Sequence, residues 1–132
     1  IDASTQSLSA VLLDEKTGEI LWNRSLAYRD DPRLVGFGFE HDTMIIPPRE
    51  AGEAEQPPRL FIAALEALFS DLKAAGFDTA AIAAINTSGQ QHGHVYLNEQ
   101  AKTSFARLRD AASAGDSLLN LLCGNTVVLT VI

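Results

Sequence analysis

The chain has 132 residues, 46% of them hydrophobic, and its 17 acidic side chains outnumber 10 basic ones for a formal net charge of -7. That apolar content suits one modest domain with a buried core, and the length is too short for two full domains. The acid excess, without any Lys/Arg run, excludes nucleic-acid binding through a broad basic surface, and no apolar run has the length of a membrane span. Nothing resembles a secretory signal, and the single cysteine, Cys123, cannot form an internal disulfide, so the expected compartment is the cytoplasm.

Ile1-Asp2 reads as the last step of a strand whose earlier residues are missing, either because the amino terminus has been trimmed or because the preceding residues are not represented. Asp2-Ala3-Ser4-Thr5-Gln6-Ser7 then reads as a turn, and Leu8 to Asp14 as the first strand of a hairpin. A carboxylate at the mouth of such a turn suits a hydrated Mg²⁺, and hydroxyls and backbone N–H groups suit phosphate oxygens. The same residues also make an ordinary turn in which short side chains bond their own backbone. Asp14 to Gly18 closes the hairpin, and Glu19 to Tyr28 is its second strand, with Trp22 in a half-buried packing position.

From Arg29 to Pro58 the pattern dissolves into a long connection that holds all five prolines. Met44-Ile45-Ile46 suits a short edge strand stopped by Pro47 and Pro48. His41 lies between Glu40 and Asp42 without ligand spacing, which makes a solvated loop rather than a metal site. Pro58 to Ala75 is the clearest helix: Phe61, Leu65, Leu68, Phe69 and Leu72 form an apolar stripe, Pro58 suits the first turn and Gly76 the end. Ala80 to Ile85 is nearly uncharged and reads as a buried central strand, which with the helix gives an α/β layer.

Ile82 to Leu97 reads as strand, polar loop, strand, with Ser88-Gly89-Gln90-Gln91-His92-Gly93 as the loop. Two amides and an imidazole between glycines can make several hydrogen bonds to one polyhydroxylated ligand. A plain polar hairpin loop facing water has the same composition. Thr103 to Ala112 is weakly helical with Thr103 as N-cap, and Asp116 to Leu122 suits a second helix. Thr126 to Ile132 is an uncharged β-prone run, an aggregation hazard unless a neighbour covers it.

Asp2-Ala3-Ser4-Thr5-Gln6-Ser7 followed at this separation by Thr87-Ser88-Gly89-Gln90-Gln91-His92-Gly93-His94-Val95-Tyr96-Leu97 resembles the amino-terminal part of the FGGY carbohydrate kinases, particularly the xylulokinase-like members. The resemblance covers Ile1 to Asp110. It implies an α/β, ribonuclease-H-like domain of the actin, Hsp70 and sugar kinase superfamily, a mixed sheet with packed helices, incomplete here. Residues 1–132 would be part of the amino-terminal, sugar-binding domain, with the nucleotide-binding domain outside this chain.

The activity implied is transfer of the γ-phosphoryl group of ATP to a hydroxyl of a ketose such as xylulose, with ATP and Mg²⁺ as cofactors. By resemblance, Asp2 holds the hydrated Mg²⁺, Ser4, Thr5 and Gln6 border the transferring phosphate, and Gln91 and His92 hydrogen-bond the sugar. His94 reads as an exposed strand residue. The base and most of the adenine site belong to the second domain, so no catalytic base is expected here and the isolated chain should not turn over. The partner implied is a small-molecule sugar, with neither nucleic acid nor membrane, and a homo-oligomer is compatible with it. Residues 124–132 depart from the family, lacking the Trp and Asp expected there. The alternative is a non-catalytic sugar- or protein-binding relative that has lost the second domain.

Overall fold

The computed structural model describes residues 1–91, 93–109, 117–122 and 126–131, with residues 109 and 126–131 described by backbone alone. Strands β1 (Asp2–Ala3), β2 (Ser7–Leu13) and β3 (Ile20–Ala27) precede helix α1 (Pro58–Ala74) and a short 3₁₀ turn (Thr79–Ala81). Strands β4 (Ser88–Gly89) and β5 (Gly93–Leu97), helices α2 (Ala101–Arg109) and α3 (Leu118–Leu122), and strand β6 (Thr126–Val131) follow. The main sheet has the order β3-β2-β1-β4; β2 runs antiparallel to both neighbours, and β4 runs parallel to β1.

Period-two alternation decides which face of the hairpin meets the helix. Leu8 pairs with Leu26, Ala10 with Arg24 and Leu12 with Trp22, and this face carries the core. Trp22 is half-buried there, as expected. Arg24 shares the face without being buried, because its guanidinium reaches Asp71 on α1 at 2.9 Å. Asp71 also takes Arg33 at 2.6 Å, and Arg33 in turn holds Asp31 at 2.6 Å. The Arg33 hydrogen bonds hold both carboxylates below the usual carboxylate range, against a smaller opposing effect of burial.

Helix α1 begins with Pro57 as N-cap and Pro58 at its first position, where a missing N–H costs nothing. It ends at Ala75 and Gly76, with Gly76 N–H donating to Lys73 O at 2.9 Å and Phe77 N–H to Leu72 O at 3.3 Å. This pair of bonds is the Schellman closure, which places Gly76 at φ +90°. The buried face is Leu60, Ala64, Ala67, Leu68 and Leu72. The expected stripe was displaced by about one residue, because the two alanines allow close approach to the sheet. Phe61, Leu65 and Phe69 flank that contact half-buried, and Phe61 meets Tyr28 edge to face at 5.7 Å.

The long connection is anchored rather than solvated throughout, since Leu34 and Met44 are fully buried in the core under α1 and the hairpin. The expected edge strand at 44–46 reduces to one bridge, Ile46 with Glu55. His41 is exposed, and its ring lies 3.2 Å from the carboxylate of its neighbour Asp42.

The expected central strand over Ala80–Ile85 is not formed. Asp78 caps the 3₁₀ turn by accepting from Ala80 N–H at 2.9 Å, and residues 82–87 carry no strand. Ladder pairing with β1 begins at Ser88. Ile1 extends it by two bonds, its amino group to Asn86 O at 2.9 Å and its carbonyl from Ser88 N–H at 2.8 Å. Upstream of Asn86 no described strand runs alongside, and Ile85 is 58% exposed.

β5 does form, but in a separate antiparallel pair with β6, so the β-prone tail is covered on one edge by β5. His94 is exposed on β5, as expected. Helix α2 starts two residues before the expected Thr103 cap, with Asn98 Oδ1 accepting from Gln100 N–H at 3.1 Å ahead of it. Glu66 on α1 holds α3 by accepting from Leu119 N–H at 3.1 Å. No described helix is long and apolar enough to cross a membrane. The described fold is thus mixed α/β: a mixed sheet with one long helix across it.

Candidate functional site

The turn between β1 and β2 closes on Ser4. Its N–H donates to Ser7 O at 2.9 Å, its hydroxyl donates to the same oxygen at 3.0 Å, and that hydroxyl accepts from Ser7 N–H at 3.2 Å. Ser4 therefore does what short turn side chains do for their own backbone. The carbonyls of the turn are tied inwards. Ser4 O accepts from Tyr28 Oη at 3.2 Å, Thr5 O from Gln56 Nε2 at 2.9 Å and Gln6 O from Tyr28 N–H at 3.0 Å. In a trans peptide the N–H opposes the carbonyl, so holding Ser4 O inwards directs the Thr5 N–H outwards. An outward backbone donor on a tight turn suits an anion.

Two buried residues form the floor. Tyr28 is fully buried; burial, with a smaller contribution from the negative charge of Asp2, pushes its phenol well above the ordinary range and keeps it a donor. Gln56 is also fully buried, and its amide orientation is fixed by its partners. Backbone carbonyls only accept, so the NH₂ group faces Thr5 O at 2.9 Å and Met44 O at 2.8 Å. Its Oε1 then accepts from Gln90 Nε2 at 2.7 Å. No buried side-chain polar atom is left without a hydrogen-bond partner among the described residues.

The loop leaving β4 completes the arrangement. The Ser88 hydroxyl donates to the Asp2 carboxylate across the parallel β1–β4 pair. Asp2, Ala3, Ser4, Thr5, Gly89, Gln90 and Gln91 line a cavity of about 200 Å³. Ligand pockets are typically ~300–1,000 Å³, so this one has room for part of a small ligand, contacting it from one side. The structure thus brings Asp2, Ser4, Thr5 and Gln91 together around one space. Gln6 does not line it, being exposed with its carbonyl turned to Tyr28. His92 lies outside the described residues.

Among the described residues that line the cavity, Asp2 supplies the charge. No group of three or more metal-ligating side chains occurs among the described residues, so they offer no all-protein cage for a cation. One carboxylate beside a space of this size fits Mg²⁺ that keeps several waters and takes its remaining ligands from a phosphate. A second cavity, about 370 Å³ between α1, β5, α2 and α3, is apolar except for Arg59 and offers a polyol no hydrogen-bond acceptor among its described lining side chains.

Sequence reading missed Tyr28 as a support and Gln56 altogether. Gln56 sits in a polar, acid-rich stretch where nothing local separates it from Glu53 or Glu55. The one local signal is Pro57, which restricts the residue before it to extended backbone.

No family model matches the chain. It is similar to "Probable D-xylulose kinase A" of Arthroderma otae, 28% identical over 121 residues, covering 92% of this chain and 20% of that protein. "Xylulose kinase 2" of Arabidopsis thaliana is 29% identical over 120 residues, 90% of this chain and 21% of the relative. "Xylulose kinase" of Rattus norvegicus is 28% identical over 110 residues, 83% of this chain and 20% of the relative. The resemblance to xylulose kinases therefore runs through most of this chain, which spans about a fifth of the length of these relatives.

Proposed function

We propose that this chain is part of the amino-terminal, sugar-binding domain of a cytoplasmic FGGY-type kinase that phosphorylates a xylulose-like ketose with ATP and Mg²⁺. One observation carries it: the turn at Thr5 and the loop at Gln90, far apart in sequence, line one cavity and are joined through Gln56. The similarity to xylulose kinases supports the choice of substrate class, and a mixed sheet with a packed helix supports a ribonuclease-H-like fold.

In this reading Gln91 and His92 bind and orient the sugar hydroxyls, and the outward Thr5 N–H with the Thr5 hydroxyl borders the phosphate. Ser4 and Gln6 act through the shape of the turn. Asp2 holds the hydrated cation, with Ser88 fixing its carboxylate. Bound Mg·ATP supplies the phosphoryl group and the charge that neutralises it. The base that takes the hydroxyl proton belongs to the second domain, so this chain positions and does not turn over alone.

Calorimetric titration of the chain with D-xylulose, D-ribulose and glycerol tests the reading. Binding of a ketose in preference to glycerol, weakened about tenfold by Gln91→Ala, is the expected result. Equal binding of all three, or none, would remove the sugar role from this chain.

A further inference from the structure

Gln56 lies at the meeting point of three segments and touches none of the seven residues' open faces directly: it reaches the cavity only through Thr5 and Gln90. Its NH₂ group is committed to two backbone carbonyls, which can only accept. Only its oxygen is left for Gln90, and an oxygen there requires Gln90 to present its NH₂ group. The amide oxygen of Gln90 is thereby turned to the other side, towards Gly93, where a Cβ built on that glycine would stand 3.7 Å from it.

Resting on the proposed sugar site, we infer that Gln56 is a positioning residue of that site. It holds the phosphate-facing turn and the glutamine loop in register and fixes which way the Gln90 amide is turned. A buried amide does this better than an acid, since Glu at 56 could not donate to both carbonyls when ionised. It does it better than an apolar side chain, which would leave Thr5 O and Met44 O buried and unpaired.

The test has two arms. In the first, ¹⁵N-labelled chain without any sugar is compared with Gln90→Met, which breaks the Gln56–Gln90 bond from its half-buried end and leaves the core filled. Shifts at the Gln6 and Ile45 amides, whose peptide carbonyls Gln56 holds, and at the Gln56 side-chain NH₂ are expected. Shifts confined to residues 88–93 would overturn the coupling. In the second, D-xylulose affinity is measured for wild type, Gln56→Met, Gln90→Met and the double variant. A loss of about tenfold in each single variant, with no further loss in the double, is expected. Additive losses, or full affinity in a folded Gln56→Met, would overturn the inference while leaving the sugar site standing. Failure of the wild type itself to bind would overturn the sugar reading and with it the ligand role of Gln56. If Gln56→Met does not fold, Gln90→Met in the first arm decides the coupling alone.

Discussion

Ser88 donates its hydroxyl to the carboxylate of Asp2 across a parallel pair of strands only two residues long. The bond orients the Asp2 carboxylate on the cavity wall and ties the first loop to the second. Asp2 is exposed, so the bond contributes little to stability and much to where the charge points. Mn²⁺, used as a paramagnetic probe for a hydrated divalent cation, should broaden the amide signals of Asp2, Ser88 and Gly89 first. Asp2→Asn should abolish that broadening with the thermal midpoint nearly unchanged. Broadening retained in Asp2→Asn would show that the cation sits elsewhere.

Tyr28 supports the turn through both its backbone and its phenol. Tyr28→Phe removes the bond to Ser4 O without emptying the core, and a loss of about 1 kcal/mol in chemical denaturation is expected. The raised folded pKa gives the sign of the alkaline effect. The unfolded phenol ionises near pH 10 and the folded one does so higher, so stability from this group is complete below pH 10 and falls as pH rises beyond it. The variant's stability should be flatter with pH above 10, and equal slopes would contradict the buried neutral phenol.

The carboxylates of Asp31 and Asp71 are held low by Arg33. A depressed folded pKa contributes stability above the unfolded value, near 3.9, that is lost as pH falls through the folded value. Wild type should therefore lose stability on acidification below about pH 4 more steeply than Arg33→Met. At pH 7 the variant should lose about 1 kcal/mol, since Arg33 is 40% exposed and water screens the pairs. Identical acid limbs would mean that the network carries no stability.

Gly76 closes α1 at φ +90° with open space around it, so a new Cβ meets no neighbour and the cost is that of the backbone alone. Gly76→Ala should destabilise by about 1 kcal/mol, and an Asn at the same position should cost less. A stabilised Ala variant would contradict the left-handed cap.

The hairpin, α1 and the strand leaving the Gln-rich loop were legible because alternation, a helical stripe and Gly/Pro punctuation are local signals. The candidate site was legible as two loops and not as one space. What joins them is Gln56, a contact 34 residues from Gln90 and 51 from Thr5, and no local pattern encodes a partner at that distance. The strand expected at 80–85 failed for the converse reason. An apolar run states a propensity, but a parallel strand needs a neighbour to pair with, and no described strand runs beside residues 82–85. Helix α1 shows a smaller miss of the same kind: large side chains mark the apolar side, while the small residues Ala64 and Ala67 mark where the sheet comes closest.

The most direct measurement is a map of D-xylulose binding on the chain by ¹H–¹⁵N chemical shifts, in wild type and in His92→Ala. Shifts at Thr5, Gly89, Gln90 and Gln91, lost in the variant while its melting temperature holds, would place the sugar in the cavity between the two loops. Shifts gathered instead at Phe61, Leu97 and Phe105 around the apolar cavity, or none at saturating sugar, would contradict a sugar site on this chain.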